Sequence, residues 1–238
     1  MDRSEEDSAA QRIVDLLIGR LKEPDGRVRV EDLISAAAAV VGERCIETAG
    51  ILDPRSHEFA PGSRVFSDTV NDLLCGNVST KLEDFSPDTV FGRLRDDLTS
   101  QDFSASEFPD VENVFRTFAS GVGRPEEWGW VPLSVDHDNR PFLMPLRIAY
   151  ETRTVIDEIC TGLKADHRRC LRIATRALAE VLIAVRQAIA PSVALLLAFE
   201  TVNGMSKTAP MTPKAFSLMA KEVVPPRAPT RKPWWRFW

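Results

Sequence analysis

Apolar positions recur along most of the chain every three to four residues, the period of a buried helix face rather than of a strand. Residues 8–22 place Ile13, Leu16, Leu17 and Leu21 on one stripe, and Pro24-Asp25-Gly26 then signals a turn. Residues 31–48 repeat the pattern with Leu33, Ile34, Ala37, Val40, Val41, Cys45 and Ile46. The run Ala36–Ala39 within them predicts a second helix at close range. Residues 50–66 carry Pro54, Pro61 and Gly62 with few periodic apolar positions, and read as a loop.

A short helix is predicted behind Ser67, with Val70, Leu73 and Leu74 inward and Gly76 as its stop. Ser86-Pro87 predicts the N-cap and first residue of a helix over 87–99 that faces inward through Val90, Phe91, Leu94 and Leu98. Pro109 opens another, with Val111, Val114, Phe115 and Phe118 inward, and Gly121-Val122-Gly123 ends it.

The pattern changes at 123–145. Trp128 to Val135 is rich in β-forming residues, Asp136 to Pro141 has turn composition, and Phe142-Leu143-Met144 follows. An ordered loop and a β-hairpin both satisfy this pattern. Helical periodicity then returns. Residues 146–164 direct Ile148, Val155, Ile156, Ile159 and Leu163 to one side, and 166–189 direct Leu171, Ala174, Leu178, Val181, Leu182, Val185 and Ile189. Pro191 kinks that helix or starts a new one reaching about Val202, with Asn203-Gly204 as its end. A last short helix is expected over 212–222.

These elements predict an all-α protein of eight or nine helices in an orthogonal or bundle arrangement. The expected divisions are an N-terminal helical half (1–122), the irregular junction (123–145), a C-terminal helical half (146–222) and a flexible, disordered tail (223–238). In that tail Pro225, Pro226, Pro229 and Pro233 exclude a regular helix.

Composition and charge sharpen the picture at that tail. The total of −5 is uneven: from Met205 onward seven basic residues face a single acid, Glu222, a net of +6 that leaves −11 on residues 1–204. Three of the five tryptophans are Trp234, Trp235 and Trp238. An acidic body disfavours nucleic acid, because phosphates need a basic face. The acidic N-terminus lacks the basic and apolar regions of a secretory signal. The longest charge-free run of the most apolar segment, Gln187–Phe199, is thirteen residues, short of the roughly 20 that span a bilayer. Cys45, Cys75, Cys160 and Cys170 form no CxxC pair and read as reduced thiols. Together these features place the protein in the cytoplasm, with a peripheral position at the inner face of a membrane as the variant the tail suggests.

The common catalytic signatures are missing, and no cofactor is implied. Gly204-Met205-Ser206-Lys207-Thr208 lacks the glycine before its lysine that a phosphate loop needs. His57, His137 and His167 show no helix-borne metal spacing. His167 and Cys170 share a helix face, with Arg168 and Arg169 between them able to lower the thiol pKa, although a half-buried apolar Cys170 explains the spacing more simply. The densest chemistry is Asp136-His137-Asp138-Asn139. As a site it offers His137 as acid or base and Asp136 and Asp138 as ligands; as a turn it needs only the habit of Asp and Asn to bond local backbone. Trp128 and Trp130 either line a pocket there or anchor the junction in the core.

The tail interleaves Arg227, Arg231, Lys232 and Arg236 with Trp234, Trp235, Phe237 and Trp238. Three arrangements suit that pattern: Trp at a membrane interface with cations on anionic headgroups, Trp anchored in a protein partner, or the tail folded back on its own body or on a second copy. Four cations at an anionic surface supply only about 4 kcal/mol, a strength suited to recruitment rather than permanent anchoring, and firmer if a homo-oligomer presents several tails. The sequence therefore predicts a non-enzymatic helical adaptor whose residues 224–238 meet a protein or an anionic membrane. The alternative is an enzyme or metal-dependent binding protein with its site at 128–142.

Overall fold

The computed structural model describes residues 3–53, 59–76, 81–122, 129–219 and 235–236, the last two by their backbone alone. Nine α-helices are present among these residues: α1 (Arg3–Leu21), α2 (Val30–Ala49), α3 (Asp68–Cys75), α4 (Val90–Thr99), α5 (Val111–Ser120), α6 (Pro145–Gly162), α7 (His167–Val185), α8 (Pro191–Met205) and α9 (Pro213–Met219). Two-residue strands β1 (Arg27–Val28) and β2 (Trp235–Arg236) complete the order. The all-α expectation holds.

The fold is organised around α2, which is buried from Val30 to Glu47. It packs most extensively against α7 and α8, then against α6, while α1 lies on α7 and α5 on α8. The alanine run serves as expected: Ala36 to Ala39 are all buried, with Ala39 against Met205. Gly42 makes the crossing with α8 possible, because a Cβ there would stand 2.5 Å from the Cβ of Met205. One cluster of buried residues runs from Ala9 through Val114 to Val202, so both sequence halves contribute to the same core.

Several boundaries differ from the expectation for local reasons. The helix expected from Pro87 begins at Val90, because Thr89 is the cap: its hydroxyl accepts from Gly92 N at 3.2 Å and donates to Ser86 O. Pro191 does start a new helix, at its first turn, but α8 runs past Asn203-Gly204 to Met205. Gly204 is a close-approach residue instead of a terminator, since a Cβ would meet Val131 Cγ1 at 2.5 Å. Val155 does not face the core; it is 40% exposed. The junction is irregular rather than a β-hairpin: between 129 and 144 the only regular element is a 3-10 turn, His137–Asn139.

Two residues of the tail are described. Trp235 and Arg236 form a strand antiparallel to β1, with Arg27 opposite Arg236 and Val28 opposite Trp235. Arg227, Arg231, Lys232, Trp234, Phe237 and Trp238 lie outside the described residues, as do His57, Gly123 and Trp128.

Candidate functional site

The junction and β1 meet at the N-terminal end of α2, and the sequence folds them together through two buried charges. Gly26, at φ 84°, turns the chain from α1 into β1, and Gly26 N donates to Glu23 O at 2.8 Å. Arg29 then precedes α2 in extended conformation. Its guanidinium donates to Arg140 O at 2.7 Å and Asp138 O at 3.3 Å, pairs with Glu31 at 3.3 Å, and lies 3.6 Å from the centre of the Phe142 ring. Asp32 accepts from Phe142 N at 2.6 Å and Leu143 N at 2.9 Å through one oxygen. Burial raises the Asp32 pKa; the bonds from Leu143 and Phe142 and the charge of Arg29 oppose that shift without cancelling it. Arg140 closes the loop on itself by donating to Leu133 O and Val135 O.

This framework holds the backbone of 138–143 and leaves the Asp136-His137-Asp138 side chains outside. His137 and Asp138 side chains are 80% and 69% exposed, and their closest approach is 3.8 Å. Asp136 is exposed as well. No group of three or more His, Cys, Asp or Glu side chains that could hold a metal ion occurs among the described residues. Phe142 and Leu143, held by Asp32 through their backbone, are 41% and 38% exposed.

Two further groups of polar residues serve the interior. Glu200 accepts from Ser134 N at 2.8 Å and from the Ser134 hydroxyl at 2.6 Å, fixing the junction to α8. Burial raises the Glu200 pKa against those bonds. Lys207 is turned inward, its Nζ donating to Asn203 Oδ1 at 2.6 Å and lying 4.2 Å from the Phe115 ring centre. Burial lowers its pKa to about 8, with Cys75 and Cys45 working the other way. The Gly204–Thr208 segment is the buried end of α8 and the turn that follows it. Arg64 donates to the Thr208 hydroxyl at 2.6 Å and to Trp130 O at 3.1 Å, which joins the loop before α3 to this segment. Lys207 escaped sequence reasoning because a single lysine just past a helix end gives no sign of facing a core.

An open groove of about 740 Å³ lies between α1, α6 and α9, with Leu16, Arg20, Tyr150, Val155 and Phe216 in its lining. Its main charge is already matched: Glu151 accepts from Arg20 at 2.7 Å and Arg147 at 2.8 Å. Those partners outweigh burial and lower the Glu151 pKa. His167 and Cys170, expected on one face, diverge. His167 is exposed and Cys170 is buried. Arg169 between them pairs with Glu5 and Glu6 at 3.1 Å instead of facing the thiol.

No described helix is long and apolar enough to cross a membrane. No family model, curated protein or solved structure matches the chain.

Proposed function

We propose that the protein is a helical recruitment module whose C-terminal Arg/Trp segment, residues 224–238, docks in a protein partner by strand addition. The observation that carries this reading is the extended backbone of Trp235–Arg236, paired with Arg27–Val28. A segment that pairs through its main chain has the property that strand addition uses, with alternate side chains left to fill pockets. Two residues a side make a small sheet, and isolated two-stranded pairings are marginal in water. The segment is thus held weakly enough to exchange its own β1 edge for a partner's edge. Trp234, Trp235 and Trp238 supply the anchors that dominate such interfaces.

The body supports this reading by what its charges do. Arg29, Asp32, Glu200 and Lys207 are all engaged with the protein's own backbone or side chains. The Asp136-His137-Asp138 side chains, in contrast, stand exposed on a surface turn, the arrangement that a backbone-bonding turn needs.

The test removes residues 224–238 and measures partner capture and flotation with anionic vesicles separately. Loss of a captured protein, with flotation unchanged, is the expected result. Loss of flotation alone transfers the reading to an anionic membrane surface. A change in oligomeric state alone assigns the segment to a second copy of the chain. Replacing Trp234, Trp235 and Trp238 by Ala while retaining the cations should reproduce the deletion if aromatic anchoring dominates. No change in any of these measurements removes the tail from the function.

A further inference from the structure

The groove between α1, α6 and α9 offers an occupant apolar and aromatic surface rather than charge. Its charged lining is engaged within the protein: Glu151 with Arg20 and Arg147, Arg153 with Glu43, and Asp157 with Arg44. The rest of the lining is mainly Leu16, Tyr150, Val155, Pro213 and Phe216. The Tyr150 and Phe216 rings stack with centres 4.7 Å apart, and both residues are only half-buried. Val155, which the periodicity of α6 directs inward, stands 40% exposed on this groove instead. Aromatic-lined grooves of this kind take proline-rich segments in the polyproline II conformation. Such a segment has little conformational entropy left to lose, and it makes no hydrogen bonds of its own. Its carbonyls are open to a donor such as the Tyr150 hydroxyl.

The chain itself supplies a segment of that composition. Residues 220–234, outside the described residues, join α9 to β2 and contain Pro225, Pro226, Pro229 and Pro233. Both points of attachment adjoin the groove. Upstream, α9 contributes Pro213 and Phe216 to the lining. Downstream, β2 is paired with β1, and Arg27 O of β1 accepts from Glu23 N at 2.8 Å, just past Arg20 and the end of α1. At about 3.1 Å per residue, the joining segment reaches roughly 45 Å when extended as polyproline II. The lining stretch of α6, Tyr150–Asp157, is about 10 Å long at a helical rise of about 1.5 Å per residue. Pro226 and Pro229 lie about 9 Å apart in polyproline II, which matches that stretch.

We propose that this groove is the docking site of the chain's own proline-rich segment, with Pro226 and Pro229 against the Tyr150–Phe216 pair. Two features select this occupant: its attachment at both ends to elements beside the groove, and the match between an apolar, aromatic lining and a run of prolines. Seated this way, residues 224–233 keep the Arg/Trp end near β1 at high effective concentration. The marginal two-residue strand pair then opens and re-forms without the segment leaving the groove. The contact lies within one chain and needs no outside partner for residues 224–238. It can therefore fail while the recruitment reading stands, and the reverse.

The test uses the full chain with no partner present. Val155 is replaced by the photoreactive residue p-benzoylphenylalanine, a change that its exposure accommodates, in an equal mixture of unlabelled and nitrogen-labelled chains. After irradiation and proteolysis, mass spectrometry shows which residues are joined and whether they belong to one chain. The expected link joins position 155 to residues 224–233 of the same chain. A link between differently labelled chains, which assigns the groove to a second copy, overturns the proposal. The absence of any link to 224–233 overturns it as well. Hydroxyl-radical footprinting adds a second reading that needs no cross-linker. Pro226→Ser combined with Pro229→Ser should raise oxidation of Tyr150 and Phe216 severalfold and leave the exposed Phe66 unchanged. Equal oxidation of Tyr150 and Phe216 in wild type and variant would show that the prolines do not cover them.

Discussion

At the N-terminal end of α2, Arg29 and Asp32 face the backbone of a loop; toward its C-terminal end, Glu43, Arg44 and Glu47 face other charges. All five are buried. Asp32 spends its charge on two loop N–H groups, and burial leaves its carboxyl pKa raised. Burial works against the Arg44 charge too, but Glu47, Glu43 and Asp157 more than offset it and hold the guanidinium charged. Glu43 and Arg153 form a fork, Nε to Oε1 at 2.7 Å and Nη2 to Oε2 at 2.8 Å, and Arg153 also donates to Met211 O at 3.0 Å. One end of the helix therefore uses charge to shape a loop, and the other uses it to lock α2, α6 and the segment before α9 in one register. The difference matters because a loop can relax when its acceptor is lost, whereas a packed helix pair cannot move away from an uncompensated charge.

The locking end should be the more fragile. Arg153→Met leaves Glu43 buried without its partner and should cost about 3–5 kcal/mol, measured as a shift of the urea unfolding curve. Adding Glu43→Leu to that variant should recover much of the loss. If the double variant is no more stable than the single one, the fork is not the source of the cost.

Lys207 is a buried charge of a third kind, matched by an amide and aromatic rings rather than by a carboxylate. Its folded pKa of about 8 lies below the ordinary lysine value of 10.5. Between these pH values the unfolded chain binds a proton that the folded chain has lost, so the contribution to stability rises with pH through the window. It is fully present above about 10.5 and is lost as pH falls through about 8, an effect of about 3 kcal/mol. The difference in unfolding free energy between wild type and Lys207→Met, followed from pH 7 to 11, should show this slope; a flat difference contradicts the assigned burial.

The shaping end should yield the smallest change. Asp32→Ala frees the N–H groups of Phe142 and Leu143 and should cost about 1–3 kcal/mol. Amide exchange should quicken at 142–143 and hardly change in α6. Uniform acceleration through α6 would show that the two ends of α2 are not independent. His137→Ala serves as the reference, expected within about 0.5 kcal/mol because its side chain is exposed.

Much of this architecture is legible in residue order. The helical stripes, Pro191 at the start of α8, the Ser67 and Gly76 limits of α3 and the close-packing role of Ala36–Ala39 all follow from local pattern. The failures are also local in appearance but not in cause. Asn203-Gly204 has the composition of a helix end, yet Val131, remote in sequence, occupies the space that a Cβ would need. Ser86-Pro87 has the composition of a helix start, yet Thr89 takes the cap. The Asp136-His137-Asp138 cluster was fully visible, and the structure turns its side chains to solvent.

The sequence by itself determined where helices form, because a helix writes its period of 3.6 residues into its own apolar spacing. It also determined the acidic body and the basic, aromatic tail, because charge and composition need no partner to be counted. Only the tertiary structure decided that Arg153 meets Glu43, that Lys207 faces a phenylalanine ring and that Trp235–Arg236 pairs with Arg27–Val28. Those pairings depend on how whole helices cross and how the turns between them close. No periodicity within a single segment carries that information.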